Sequence, residues 1–86
     1  MISVQVANRS IDCQVIVDWF KTQNCNRDAV RDFIIKFAGQ NHELAKLVND
    51  AYDKSGNLPS KVLEAIADEI IDKLCDEGKM CFTNKR

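Results

Sequence analysis

Glu64, Asp68, Asp72 and Asp76 recur at a strict four-residue spacing within EAIADEIIDKLCDEG, residues 64 to 78. At about 3.6 residues per turn this spacing lines the carboxylates up along one side of a helix, opposite a stripe of Leu63, Ile66, Ala67, Ile70, Ile71 and Leu74. Charges belong on the solvent side of an amphipathic helix, but four of one sign in register work against it. Each i, i+4 carboxylate pair repels by roughly 0.2–0.5 kcal/mol, so three such steps cost on the order of 1 kcal/mol. Asp76 and Glu77 also crowd the negative end of the helix dipole, where a lysine would serve better. Glu69 with Lys73 gives one favourable pair back, and Lys61 shares the acidic face. An acidic ridge of this kind suits a basic partner surface, because complementary potentials speed and orient docking. Its other reading is the ordinary solvated face of a helix.

The charge is unevenly shared along the chain. Residues 58–78 hold six acids and two bases, residues 1–40 hold four acids and five bases, and the segment from 79 onward adds three bases. The net charge of −1 argues against a phosphate-binding domain, which usually carries a basic excess.

Other residues invite chemical readings that their surroundings weaken. DKSGNLPSKVLE, residues 53 to 64, has the length of a calcium-binding EF-hand loop, with Asp53, Ser55, Asn57 and Glu64 at ligand positions. Leu58 stands where the sharp turn needs glycine, Ser60 where an aliphatic is expected, and Pro59 stiffens the centre. A polar turn leading into a helix capped by Asn57 or Ser60 explains the stretch better, and no metal site is expected. The cysteines at 13, 25, 75 and 81 form no C-x-x-C pair and match no zinc pattern, so free thiols are expected, with Cys75–Cys81 the one bridge worth considering. The single histidine, His42, has no nucleophile or second acid–base group placed near it by spacing. No catalytic residues and no cofactor are expected.

These groups need elements to hold them. Asn26 can cap a helix in which Val30, Phe33, Ile34, Phe37 and Ala38 form one apolar stripe that Gly39 ends. Asn41 can cap the next, where Leu44, Leu47, Val48, Ala51 and Tyr52 repeat the spacing before DKSGNLP breaks it. Ser10 is the expected cap of an earlier helix with Ile11, Val15, Trp19 and Phe20 near one face; of the adjacent aromatics, one is expected in the core and the other at its edge. The last helix is expected from about Ser60 to Gly78. At the ends, ISVQV and KMCFT alternate apolar and polar residues as half-buried strands do.

The sequence therefore predicts a mainly α, four-helix single domain over residues 1–86, with a small two-stranded sheet formed by the N- and C-terminal segments. With 45% apolar and 29% charged residues it has the composition of a soluble globular protein. No apolar run is long enough to span a bilayer and no signal-peptide pattern opens the chain, so the cytoplasm is the expected location. So small a domain buries a modest fraction of its surface; a homodimer would relieve this, with Ile35 as a contact.

The expected function is non-enzymatic: a protein–protein interaction module, acting as an inhibitor, adaptor or regulator, that docks Glu64, Asp68, Asp72 and Asp76 on a basic surface of a protein partner. Small accessory proteins of phages and mobile elements fit this description. The alternative is a helix-turn-helix DNA-binding regulator built on RDFIIKFAGQNHELAKLV, with His42, Glu43 and Lys46 on the recognition face and binding that depends on Lys46 and the Arg27/Arg31 pair. The mixed charges of that face disfavour nucleic acid.

Overall fold

The computed structural model describes residues 2–23, 26–56 and 59–82. The chain opens with two short strands, β1 (Ser3–Val6) and β2 (Arg9–Asp12), and continues through four helices: α1 (Gln14–Gln23), α2 (Arg27–Phe37), α3 (His42–Ser55) and α4 (Pro59–Asp76). One turn of 3₁₀-helix, Ala38–Gln40, joins α2 to α3. The four-helix architecture with a small two-stranded sheet is the one the sequence predicts. The partner of the first strand is not. β1 pairs antiparallel with β2, with Val4 opposite Ile11 and Val6 opposite Arg9.

The physical reason lies in Ala7 and Asn8, which both adopt left-handed backbone, with φ of 51° and 69°. Two such residues make the tight turn whose twist matches that of paired strands. Asn8 suits the conformation; Ala7 does not, and without an Asn-Gly or Asp-Gly signal the hairpin is hard to see in the sequence. Its formation takes Ser10 and Ile11 into β2, so Ser10 does not cap α1. The Asp12 carboxylate does the nearest equivalent work, accepting from the Gln14 amide at 3.0 Å. With Ile11 outside the helix, the α1 face also shifts: Ile16 and Val17 are buried, whereas Val15 is 52% exposed.

The two asparagine caps hold, whereas Tyr52, expected in the apolar stripe of α3, is exposed. The Asn26 side chain accepts from the Ala29 amide at 2.9 Å and Asn41 from Leu44 at 3.0 Å, capping α2 and α3. Gly39 lies within the 3₁₀ turn that ends α2, and Gly56, with φ of 73°, caps the C-terminus of α3. Ser60 lies inside α4 rather than capping it, and Asn57 falls outside the described residues.

Helix α4 is the centre of the packing, lying against α2, α3 and β1. Ile66, Ala67, Ile70, Ile71 and Leu74 turn one stripe of it inward to meet Val30 and Ile34 of α2, Leu44 and Leu47 of α3, and Val4, Val6 and Ile11 of the hairpin, all buried. Ile35 is half-buried and packs against this core. Trp19 and Phe20 are both half-buried and face different neighbours. Trp19 stacks on Phe33 at 4.3 Å between centroids, and Phe20 meets Phe82 edge-on at 5.4 Å.

After α4 the chain reverses. The Lys79 amide donates to the Leu74 carbonyl and the Gly78 amide to that of Cys75, with Gly78 at φ of 75°. This is the Schellman arrangement, which satisfies carbonyls that the helix end would leave free. The segment beyond it returns Met80, 3% exposed, to the core. Residues 80–82 are not a strand; their alternation reflects two apolar anchors, Met80 and Phe82, in an irregular segment.

Candidate functional site

The acidic row on α4 is divided by its neighbour. Helix α2 crosses α4 with Arg27 and Arg31 at the same four-residue spacing as Asp68 and Asp72. Because the helices run in opposite senses, Arg27 meets Asp72 and Asp68, while Arg31 meets Asp68. Arg27 Nη2 lies 2.8 Å from Asp72 Oδ1 and 3.6 Å from Asp68 Oδ1, and also donates to the Asp68 backbone carbonyl at 3.3 Å. Arg31 lies 3.6 Å from Asp68 through Nη1 and 3.3 Å from Asp28 through Nη2. Burial works against the Arg27 charge, but the hydrogen bond it donates to Asp72 and the charges of Asp72 and Asp68 outweigh it, and its pKa is raised.

The cost of the like-charge row is thus offset across the helix seam rather than within α4. Asp68 Oδ1 is buried and accepts no hydrogen bond among the described residues, since both guanidinium contacts are longer than a good bond. Its contribution is one of charge. Within α4, Lys73 pairs with Glu69 at 3.7 Å.

Glu64 and Asp76, the two ends of the row, are exposed. Among the described residues neither forms an ion pair. They stand about 18 Å apart along the helix axis, at about 1.5 Å per residue. Between them the Asp72 side chain remains 65% exposed despite its bond to Arg27. The face presents an anionic strip, compensated in the middle and open at both ends. Arg27 and Arg31, on which the DNA-binding alternative depends, are paired with the acids of α4. Two i, i+4 pairs of opposite sign on different helices are the signal that could have revealed this.

A second charged clamp joins the hairpin to α3. Arg9 reaches from β2 to Glu43 at 3.1 Å and Asp50 at 2.8 Å, two helical turns apart on α3. Hydrogen bonding to Arg9 holds the Asp50 carboxyl below the usual carboxylate range. Beside it is an open pocket of about 150 Å³ lined by Ala7, Arg9, Leu47, Asp50, Ala51 and Lys54. Its Arg9 and Asp50 are already bonded to each other. The clamp also occupies Glu43, on the surface a recognition helix would use. His42 is exposed in the first turn of α3.

Cys13 is fully buried and its thiol donates to the Ile11 carbonyl. Burial, helped by the charge of Asp12, pushes it up to about 12. Cys75 is half-buried and also raised, chiefly by burial and against the charge of Arg27; Cys13, Cys75 and Cys81 are free thiols. Cys25 lies outside the described residues. Among the described residues no group of three or more His, Cys, Asp or Glu side chains could hold a metal ion, and no helix is long and apolar enough to cross a membrane. No protein-family model, curated protein or solved structure matches this chain.

Proposed function

We propose that this chain is a non-enzymatic protein-binding module of the cytoplasm, an inhibitor, adaptor or regulator, which presents the exposed face of α4 to a basic surface of a protein partner. The observation that carries this reading is the open pair of carboxylates at the ends of the row. Glu64 and Asp76 are exposed and form no ion pair among the described residues, whereas Asp68 and Asp72 are matched by arginines. Carboxylates with no internal partner contribute little to the fold and leave their field to solvent, where it can steer a cationic surface. Asp68 and Asp72 supply the middle of the strip and are held in place by Arg27.

The division of the row makes the test cleaner than neutralising all four acids. The double variant Glu64→Gln/Asp76→Asn removes the two open charges and leaves the α2–α4 seam intact. In affinity capture from native lysate, the parent is expected to retain a basic protein that elutes as salt rises. The double variant, with an unchanged melting temperature, is expected to lose it. Equal capture by parent and variant overturns the reading and returns this face to the role of a solvated helix side.

A further inference from the structure

The hairpin carries a surface of a different kind. In an antiparallel pair, residues alternate between those that bond to the partner strand and those whose backbone groups point outward. The tight turn places Val6 and Arg9 in a bonded pair, Val4 and Ile11 follow in the same phase, and the Cys13 amide donates to the Ile2 carbonyl at 2.8 Å in continuation. The amides and carbonyls of Ser3 and Gln5 therefore point away from β2, along the outer edge of β1. Among the described residues nothing hydrogen-bonds to them. Both residues are exposed, while Val4 and Val6 between and beside them are buried.

The two edges of this sheet differ. That of β2 is flanked by the charges of Arg9 and Asp12, which blunt a strand edge; β1 carries no charge, no lysine and no proline. The β1 edge is also self-complementary. Two antiparallel copies related by a two-fold axis at Val4 set Ser3 of each opposite Gln5 of the other, and Val4 opposite Val4. In that register the outward groups of Ser3 and Gln5 face one another as bonded pairs, no like charges meet, and both valines stay on the core side. A two-stranded sheet of four-residue strands is short of the size that is stable by itself, and this pairing doubles it.

We propose that the β1 edge is a homodimer interface, joining two hairpins into one sheet ordered β2-β1-β1-β2. It does not rest on the acidic face of α4, and either can fail without the other.

Sedimentation of the purified full chain over a range of concentrations tests it, together with amide exchange. The chain is expected to dimerise, with the Ser3 and Gln5 amides gaining protection as concentration rises while those of Ser10 and Asp12 do not. Gln5→Pro removes only an outward-pointing donor and is expected to raise the dimer dissociation constant by about tenfold or more, on the scale of about 1.4 kcal/mol per factor of ten. The register has its own check. Ser3→Lys/Gln5→Glu sets opposite charges across the two-fold axis and should still dimerise; Ser3→Lys/Gln5→Lys sets lysines against each other and should not. A chain that stays monomeric overturns the proposal, including one whose Ser3 and Gln5 amides are protected, since another segment of the same chain would then fill the edge. So does a dimer indifferent to Gln5→Pro, or one in which the two lysine-bearing variants behave alike.

Discussion

Cys13 shows how one buried side chain can set a pH limit. Its thiol is fully buried and its pKa is pushed from 9.0 up to about 12. The folded state therefore keeps a proton that the unfolded chain gives up above about pH 9, and the resulting stability is present below that pH and lost as pH rises toward about 12. At about 1.4 kcal/mol per pH unit, on the order of 2–3 kcal/mol should be lost by about pH 11. Cys13→Ala costs roughly 1 kcal/mol at neutral pH through its small cavity, but lacks this slope. Urea unfolding from pH 8 to 11 should show the parent's advantage shrinking and then reversing; parallel curves would place the alkaline loss elsewhere. Ala7 is the other residue with a readable cost. Left-handed backbone costs a non-glycine residue roughly 1–2 kcal/mol, and glycine gives part of that back as entropy. Ala7→Gly should stabilise the chain by about 0.5–1 kcal/mol and raise the melting temperature by a few degrees. The same residue explains why the hairpin was hidden in the sequence. The turn forms with an alanine that local preference disfavours, so the pairing of β1 with β2 is decided by burial of Val4, Val6 and Ile11.

Among the elements, legibility follows how local the cause is. The Asn26 and Asn41 caps and the apolar stripes of α2 and α4 depend on residues within a few positions; the caps are as the sequence predicts, and the stripes differ only in that Phe33, Phe37 and Leu63 are half-buried and Val62 is buried. Spacing alone misphases α1, because Ile11 keeps step with Val15 and Trp19 yet belongs to a strand. KMCFT misled for a related reason: two apolar residues in alternation look like a strand whether a ladder or a helix-end reversal aligns them. The reversal after α4 can be separated into its parts. A Cβ at Gly78 would meet nothing within 4 Å, so Gly78→Ala carries only the conformational cost of φ at 75°, about 1 kcal/mol. Met80→Ala removes a core side chain and should cost about 2–5 kcal/mol. Denaturant midpoints in that order would show that the segment is held by its anchor; the reverse order would show that the turn holds it.

At the scale of the whole molecule, the question is whether the acidic face belongs to the fold or stands free of it. The row of acids is legible, but its division is not, because Arg27, which meets both Asp68 and Asp72, lies more than forty positions away in sequence. A domain of this length has a total stability of about 4–13 kcal/mol, at roughly 0.05–0.15 kcal/mol per residue. Leu74 is fully buried, and Leu74→Ala should cost about 2–5 kcal/mol, a large part of that total, lowering the melting temperature by about 10 °C or more. The paired acids sit at 38% and 65% side-chain exposure, where solvent screens an ion pair to roughly 0–1 kcal/mol. Asp68→Asn/Asp72→Asn should therefore lower the melting temperature by only a few degrees, and less still in high salt. Thermal unfolding of both variants at low and high salt measures the contrast directly. If the acid double variant melts like Leu74→Ala, the α2–α4 seam is part of the core and any binding lost on its removal would report unfolding. If it melts near the parent, the whole strip from Glu64 to Asp76 can be altered without harm to the fold, and its charges can be assigned to what they meet outside the molecule.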